Sequence, residues 1–314
     1  MSAGAEARAA VRDSPVVVFV NSTAGGGRAR SCLPQIQRLF GSLRVDAKFV
    51  TTGSSGELES SAQNAILLKQ RTLLAMGGDG TFQALANAAF GADVVLGVIP
   101  IGGGNDFAAA LGLPSEPVEA AEAVLCGRPR NVDLLRVRAA DGQSRLYVGG
   151  GGIGLDAEEA RFAGGRYRHL PGRFRYIAAA LRALVGYVPL LVRVDFPERD
   201  FPPFEARALL AAVMNSPTYG AGVRLAPGAA VDDGSLHVVL IEQLSKLGVL
   251  ALLPRSMSSG ELRTPRLKRW RARRVKLTTN RPSFFHGDGE ILGLTPVEIE
   301  VVPKAVRVLA PVLS

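Results

Sequence analysis

Gly77-Gly78-Asp79-Gly80-Thr81 separates two runs of opposite character. Before it stands the apolar Thr72-Leu73-Leu74-Ala75-Met76, which reads as a buried strand; after it come residues 82–89, whose apolar positions 82, 85, 86 and 89 fall at helical spacing. The order is strand, glycine-rich turn, helix. Such a turn bares backbone N–H groups that no helical carbonyl satisfies, and with the helix dipole behind them they suit a phosphate. Glycines let the backbone approach that ligand. Asp79 would repel it unless a cation intervened, and magnesium, held directly or through water, is the economical answer. Taken alone, the same five residues also describe a tight β–α turn with an acid near the helix start.

Two further stretches share this construction. Strand-like residues 94–99 run into Pro100-Ile101-Gly102-Gly103-Gly104-Asn105-Asp106-Phe107, and Val16-Val17-Val18-Phe19-Val20 runs into Asn21-Ser22-Thr23-Ala24-Gly25-Gly26-Gly27-Arg28 and a helix through residue 39. A strand at 44–50, followed by Thr51-Thr52, a helix at 56–69 and a helix at 117–126, with Pro117 in its first turn and Gly127 at its end, complete the series. Strands alternating with helices predict a parallel sheet covered on both faces, with ligands at its carboxyl edge.

The pattern changes at Asn131-Val132-Asp133-Leu134. Apart from a basic helical stretch at 173–187, the later segments read as strands, at 146–149, 190–196, 206–215, 236–242, 274–279, 297–302 and 306–309, several alternating apolar with polar residues. The expected architecture is an α/β N-terminal domain at 14–133 after a frayed tail at 1–13, and a mostly-β domain at 134–303.

Composition narrows the function classes. The chain has 314 residues, 47% hydrophobic and 21% charged, in the range of a soluble globular protein. Its densest apolar run, 247–253, is far short of the roughly 20 residues that cross a bilayer. The Ala-rich tail lacks the apolar core of a signal peptide. Cys32 and Cys126 have neither metal-ligand spacing nor a disulfide framework, which fits a reducing cytoplasm. The net charge of +9 concentrates at 161–175 and at 263–274, around Trp270. Nucleic acid, an anionic lipid surface and nucleotide phosphate are the candidate partners, beside a plain solvated face. With so few aromatics in these runs, sequence-tolerant binding of single strands is weakly supported, and no specific nucleic acid is expected.

Two later motifs carry carboxylates. Ala230-Val231-Asp232-Asp233-Gly234-Ser235 reads as a turn entering a strand. His286-Gly287-Asp288-Gly289-Glu290, between apolar pairs, is either a hairpin turn or the site of a general base. His169, His237 and His286 have no mutual metal spacing and read as structural, and no serine sits in a nucleophile elbow.

Together these motifs resemble the diacylglycerol kinase catalytic-domain family, which includes sphingosine and ceramide kinases and soluble bacterial lipid kinases. The likeness runs from about residue 16 to 313. Its most specific parts are the Gly77–Thr81 loop and the stretch 100–107, since NAD kinases share the first and lack this form of the second. It implies a nucleotide-binding α/β domain, a C-terminal β-sandwich, ATP in the cleft between them, and a final segment, 304–314, that returns to the first domain. Asn21, Gly25 and Thr52 would contact nucleotide, and Gly77, Gly78, Asp79, Gly80, Thr81, Phe82 and Gln83 would hold its phosphates, with Gly103 and Asn105 beside them. Asp79, Asp106 and Asp133 would organise catalytic Mg2+ and its waters, while Asp233 with the carbonyls of Ala230 and Ser235 would hold a second, structural Mg2+. The proton acceptor would come from Asp288-Gly289-Glu290, with Glu290 usually credited. The chain departs from the family at Ser22, where proline is usual, at Ala24, where serine is usual, and at Gly103, where threonine is usual.

The expected activity is phosphoryl transfer from ATP to a lipid hydroxyl such as that of diacylglycerol, by a cytoplasmic enzyme that docks transiently on anionic membrane through its basic stretches. Two rivals stand beside it. An NAD-kinase-like enzyme of a soluble acceptor is opposed by Asn105-Asp106-Phe107. A non-catalytic lipid-binding module that has kept the fold draws on the Gly103 departure and is opposed by the retained acids.

Overall fold

The structure, a computed structural model, describes residues 15–154, 188–220, 222–245, 248, 262 and 264–312. The tail at 1–13, the basic stretch at 161–175, the helix expected at 173–187 and nearly all of the apolar run at 247–253 lie outside the described residues. The chain divides into two units, Met1–Val132 with Lys304–Ser314, and Asp133–Pro303.

The first unit alternates β1 (Val16–Asn21), a 3-10 turn (Ala24–Gly27), α1 (Arg28–Ser42), β2 (Ala47–Thr52), α2 (Ser55–Leu67), β3 (Thr72–Gly77), α3 (Asp79–Ala89), β4 (Val95–Pro100), the short α4 (Asp106–Ala110) and α5 (Pro117–Cys126). Its strands pair in parallel in the order β2-β1-β3-β4. The apolar runs at β1 and β3 are buried along nearly their whole length, as central parallel strands require. Helix starts are set by side chains. Ser54 accepts the Glu57 N–H while the Glu57 carboxylate accepts that of Gly53, and Glu116 caps both Val118 and Glu119 ahead of Pro117. The second strand begins later than the expected residue 44. The N–H groups of Leu43, Arg44 and Val45 turn back to the carbonyls of Leu39, Gly41 and Phe40 to close α1, so the chain extends only from Ala47.

The second unit is a β-sandwich. Its strands are β5 (Arg128–Ala139), β6 (Ser144–Tyr147), β7 (Gly150–Gly154), β8 (Leu190–Asp195), β9 (Phe204–Met214), β10 (Leu236–Glu242), β11 (Leu267–Ala272), β12 (Arg274–Thr279), β13 (Phe284–Gly287), β14 (Glu290–Leu294) and β15 (Val297–Ala310). The first and last of these run across the boundaries between units. Neighbours follow the order β14-β13-β7-β9-β8-β12-β15, with β10 joining β9 to β11 and β6 on β5. Inward residues of alternating strands, among them Val192, Val194, Val238, Leu240, Val275, Leu277 and Ile299, form its core.

Two expectations change here. The strands expected at 297–302 and 306–309 are one: Val297–Glu300 pairs antiparallel with β12, Lys304 turns the chain at φ 51°, and Arg307 and Val308 pair in parallel with β4. The basic run at 264–274 is not merely a solvated face, because most of it is β11. Trp270 packs against Phe196 and Phe204 at ring distances of 5.8 and 5.3 Å, Arg269 donates to the carbonyls of Leu225 and Leu262, and Arg266 and Lys268 lie 3.9 Å from Glu242 on β10.

Candidate active site

In the first unit, parallel pairing puts the carboxyl ends of β2, β1, β3 and β4 in a row, and the three glycine-rich loops leave from that edge. They touch one another. A Cβ on Gly25 would lie 2.4 Å from the Ile101 carbonyl, and one on Gly102 would lie 2.7 Å from Gly78 Cα, so these crossings exclude any other residue. The Asn21 amide donates to Thr81 Oγ1 at 3.0 Å and its oxygen accepts from Thr23, which ties the first loop to the second. Thr52 ends β2 opposite Asn21 and is buried. Gly103 is exposed, while Asn105 sits at positive φ and donates to the Gly102 carbonyl at 2.9 Å.

α3 begins at this edge. Thr81 and Phe82 give their N–H groups to the Gly78 carbonyl, so the N–H groups of Asp79 and Gly80 are the first-turn donors that face no helical acceptor. Phe82 is fully buried and stacks on Phe107 at 4.7 Å. Its side chain belongs to the core. Gln83 is buried as well.

Asp79 moors the second loop to the third. Its two oxygens accept the N–H groups of Asp106 and Phe107, both at 3.1 Å, and so cap α4. Burial, then the neighbouring Asp106 carboxylate, raises Asp79 to about 6 against the lowering effect of those N–H groups. Two acids whose charges oppose each other at the carboxyl edge of the parallel sheet fit a hard divalent cation with oxygen donors. Asp79 and Asp106 would hold magnesium there.

The second unit carries the other predicted acids. Asp133 is buried, donates its N–H to the Val231 carbonyl at 2.7 Å and accepts the Gly234 N–H at 2.7 Å. In the turn it meets, the oxygens of Asp233 accept from the N–H groups of Ser235 and Ala230 and lie 2.9 Å from His237 Nε2. The Arg271 guanidinium donates to the Asp233 carbonyl at 3.1 Å and to Ser235 Oγ at 3.0 Å, and approaches the Asp233 carboxylate at 3.7 Å. Arg271 thus places a positive charge beside the Asp233 carboxylate.

Asp288 and Gly289 form the two-residue turn of the β13–β14 hairpin, both at positive φ as such turns demand. The Asp288 carboxylate takes the N–H groups of Val148, Gly149 and Gly150 at 2.6, 2.9 and 3.3 Å. Burial, then the Asp288 charge, pushes the Tyr147 phenol well above its ordinary value, so the hydroxyl stays protonated and donates to the Val213 carbonyl. Glu290 opens β14 in solvent, and its carboxylate has no partner among the described residues. Of the two candidates for a base, Asp288 is committed to structure and Glu290 is available. His286 is buried, with Tyr219 Oη 3.0 Å from its Nε2.

Sequence reasoning passed over one residue that the structure puts at the centre of this region, Asn215, which bonds to the backbone beside both Asp133 and Asp288. It ends an apolar strand, and nothing near it in the chain marks it out.

Residues 15–137 match the diacylglycerol kinase catalytic domain, and residues 151–310 match the YegS C-terminal NAD kinase beta sandwich-like domain. The chain therefore belongs to the diacylglycerol kinase and YegS-like lipid kinase family. It is 32% identical over 277 residues to the "Probable lipid kinase YegS-like" of Stenotrophomonas maltophilia (strain K279a), covering 85% of this chain and 87% of that one. It is 25% identical over 297 residues to a diacylglycerol kinase of Bacillus subtilis (strain 168), covering 94% and 95%. The fold is shared with the crystal structure of a diacylglycerol kinase from Bacillus anthracis str. Sterne, at TM-score 0.69 and 20% identity over 95% of this chain and 97% of that one.

Proposed function

We propose that this protein transfers the γ-phosphoryl group of ATP to the hydroxyl of a lipid such as diacylglycerol. One observation carries the reading: three glycine loops meet at one sheet edge around Asp79, with Asp106 beside it. Phosphoryl transfer rests mainly on positioning and charge neutralisation, so it needs such loops and acids and no covalent nucleophile. The N–H groups of Asp79 and Gly80 bind phosphate oxygens at the start of α3, and Asn21 and Thr81 fix the loop that presents them. Magnesium, when bound at Asp79 and Asp106, neutralises phosphate charge and orients the group to be transferred. Glu290 takes the proton of the acceptor hydroxyl. Asp288 holds the hairpin on which Glu290 stands.

The test is transfer of labelled phosphate from Mg-ATP to a panel of lipids in mixed micelles and to NAD, by wild type and by Asp79→Asn. A labelled lipid that vanishes in the variant supports the proposal and names the acceptor. Label on NAD alone replaces it with a soluble-acceptor kinase. Nucleotide binding without transfer to any acceptor supports a binding module instead.

A further inference from the structure

We propose that Asn215 is a positioning residue that holds Asp288, and through it the Glu290 hairpin, in working geometry; the inference rests on the phosphoryl-transfer reading above. Asn215 follows β9 and is 0% exposed. Its side-chain amide donates to the Asp133 carbonyl and to the Val148 carbonyl, each at 2.9 Å, and its own N–H donates to the Gly149 carbonyl at 2.8 Å. Ser216 adds its N–H and Oγ to that same Gly149 oxygen, at 3.0 and 3.2 Å.

Two successive peptide planes are thereby gripped from both sides. The plane between Val148 and Gly149 has its C=O on Asn215 and its N–H on Asp288, and the plane between Gly149 and Gly150 has its C=O on Asn215 and Ser216 and its N–H on Asp288. Glycine-rich backbone has no side chain to fix its orientation, so these bonds set it. Hydrogen bonds in series also polarise one another, which sharpens the grip on the carboxylate. The third bond, to the Asp133 carbonyl, registers β5 against the same segment. One amide thus joins the backbone of β5 at Asp133 to the segment that holds the acid beneath the proposed base.

Asn215→Asp is the informative change, because it keeps the shape and puts oxygen where the amide NH2 faced two carbonyls. Val194→Ala, in the core of the same unit, serves as the stability control. We expect Asn215→Asp to lower kcat about 100-fold, the scale of a misplaced reacting group. KM for Mg-ATP and the nucleotide Kd should stay within about threefold, since the phosphate loops lie in the other unit. Hydrogen exchange at the Val148, Gly149 and Gly150 amides should accelerate at least tenfold, while the control leaves both readouts near wild type. A kcat within threefold of the control, or unchanged protection of those amides, overturns the proposal. If Asn215→Asp does not fold, Ser216→Ala decides the matter: faster exchange at Gly149 and Gly150 with a smaller fall in kcat supports it, and no change in either overturns it. Should wild type transfer no phosphate at all, the functional reading fails, and the exchange measurement still judges whether Asn215 holds the Asp288 donors.

Discussion

At the scale of single residues, Asp79 has two tasks that pull apart. As a cap on α4 it serves the fold, yet its charge is opposed by burial and by Asp106. Its value in the fold, about 6, lies above its ordinary 3.8, so the stability it contributes is full below about pH 4 and is lost as pH rises through 6. Denaturation without magnesium should therefore show stability falling across that interval, by at most about 3 kcal/mol and less because the residue is half-buried. Asp79→Asn should flatten that limb, and magnesium should stabilise wild type more above pH 6 than below it; a limb unchanged in the variant would assign the titration elsewhere. The two acids of the hairpin should separate as well. Glu290→Gln should remove about 100-fold or more from kcat with a melting temperature near wild type, whereas Asp288→Asn should lower both, since it discards a charged acceptor shared by three N–H groups. Equal melting temperatures would contradict that division. The acids and glycines of these sites were legible because each loop, with its strand and helix, is contiguous in sequence. Asn215 was not, because its side-chain partners lie 67 and 82 residues away.

Among the elements, β11 shows how a charge run conceals a strand. Residues 267–272 are rich in arginine and lysine, and the acid opposite them, Glu242, stands on β10, too distant in sequence for local reading. The α/β half was read well for the opposite reason, since hydrophobic runs ending in glycine announce strand and turn together. A further ionic cluster joins β5, β12 and β15. Glu300, 15% exposed, accepts from Arg136, Arg138 and Arg274 at 2.8–3.0 Å. Burial alone would raise its pKa, but the hydrogen bond from Arg136 and the charges of Arg138 and Arg136 outweigh it and hold the carboxyl below its ordinary 4.5. Its contribution is thus present above about pH 4.5 and lost as pH falls through the lowered value. Glu300→Gln should cost about 2 kcal/mol at neutral pH, because three partly hydrated guanidiniums lose the charge of their shared acceptor and one of its two oxygens, and the penalty should shrink on acidification. A penalty independent of pH would point to packing instead of charge.

For the molecule as a whole, no described helix is long and apolar enough to cross a membrane, and the net charge is +9. If the acceptor is a lipid at an anionic surface, as proposed, contact through this charge should be salt-sensitive. Binding to vesicles containing phosphatidylserine should fall at least tenfold between 50 and 500 mM salt, on the order expected when several cations each contribute about 1 kcal/mol near the surface. Binding indifferent to salt would mean that apolar contact dominates. The strand β15 serves both units. Its distal residues Val306, Val308, Leu309 and Ala310 are buried, and Arg307 and Val308 pair with β4 of a unit otherwise complete by Val132. Deleting 304–312 should strip several kcal/mol of burial and leave insoluble protein; soluble, folded material would refute that. During vectorial synthesis the consequence is one of timing. The ribosome finishes the helices and four strands of the first unit while their fifth partner is still some 170 codons ahead, so the nascent sheet waits with an open edge, the state most exposed to chaperones and to neighbouring chains on the same polysome.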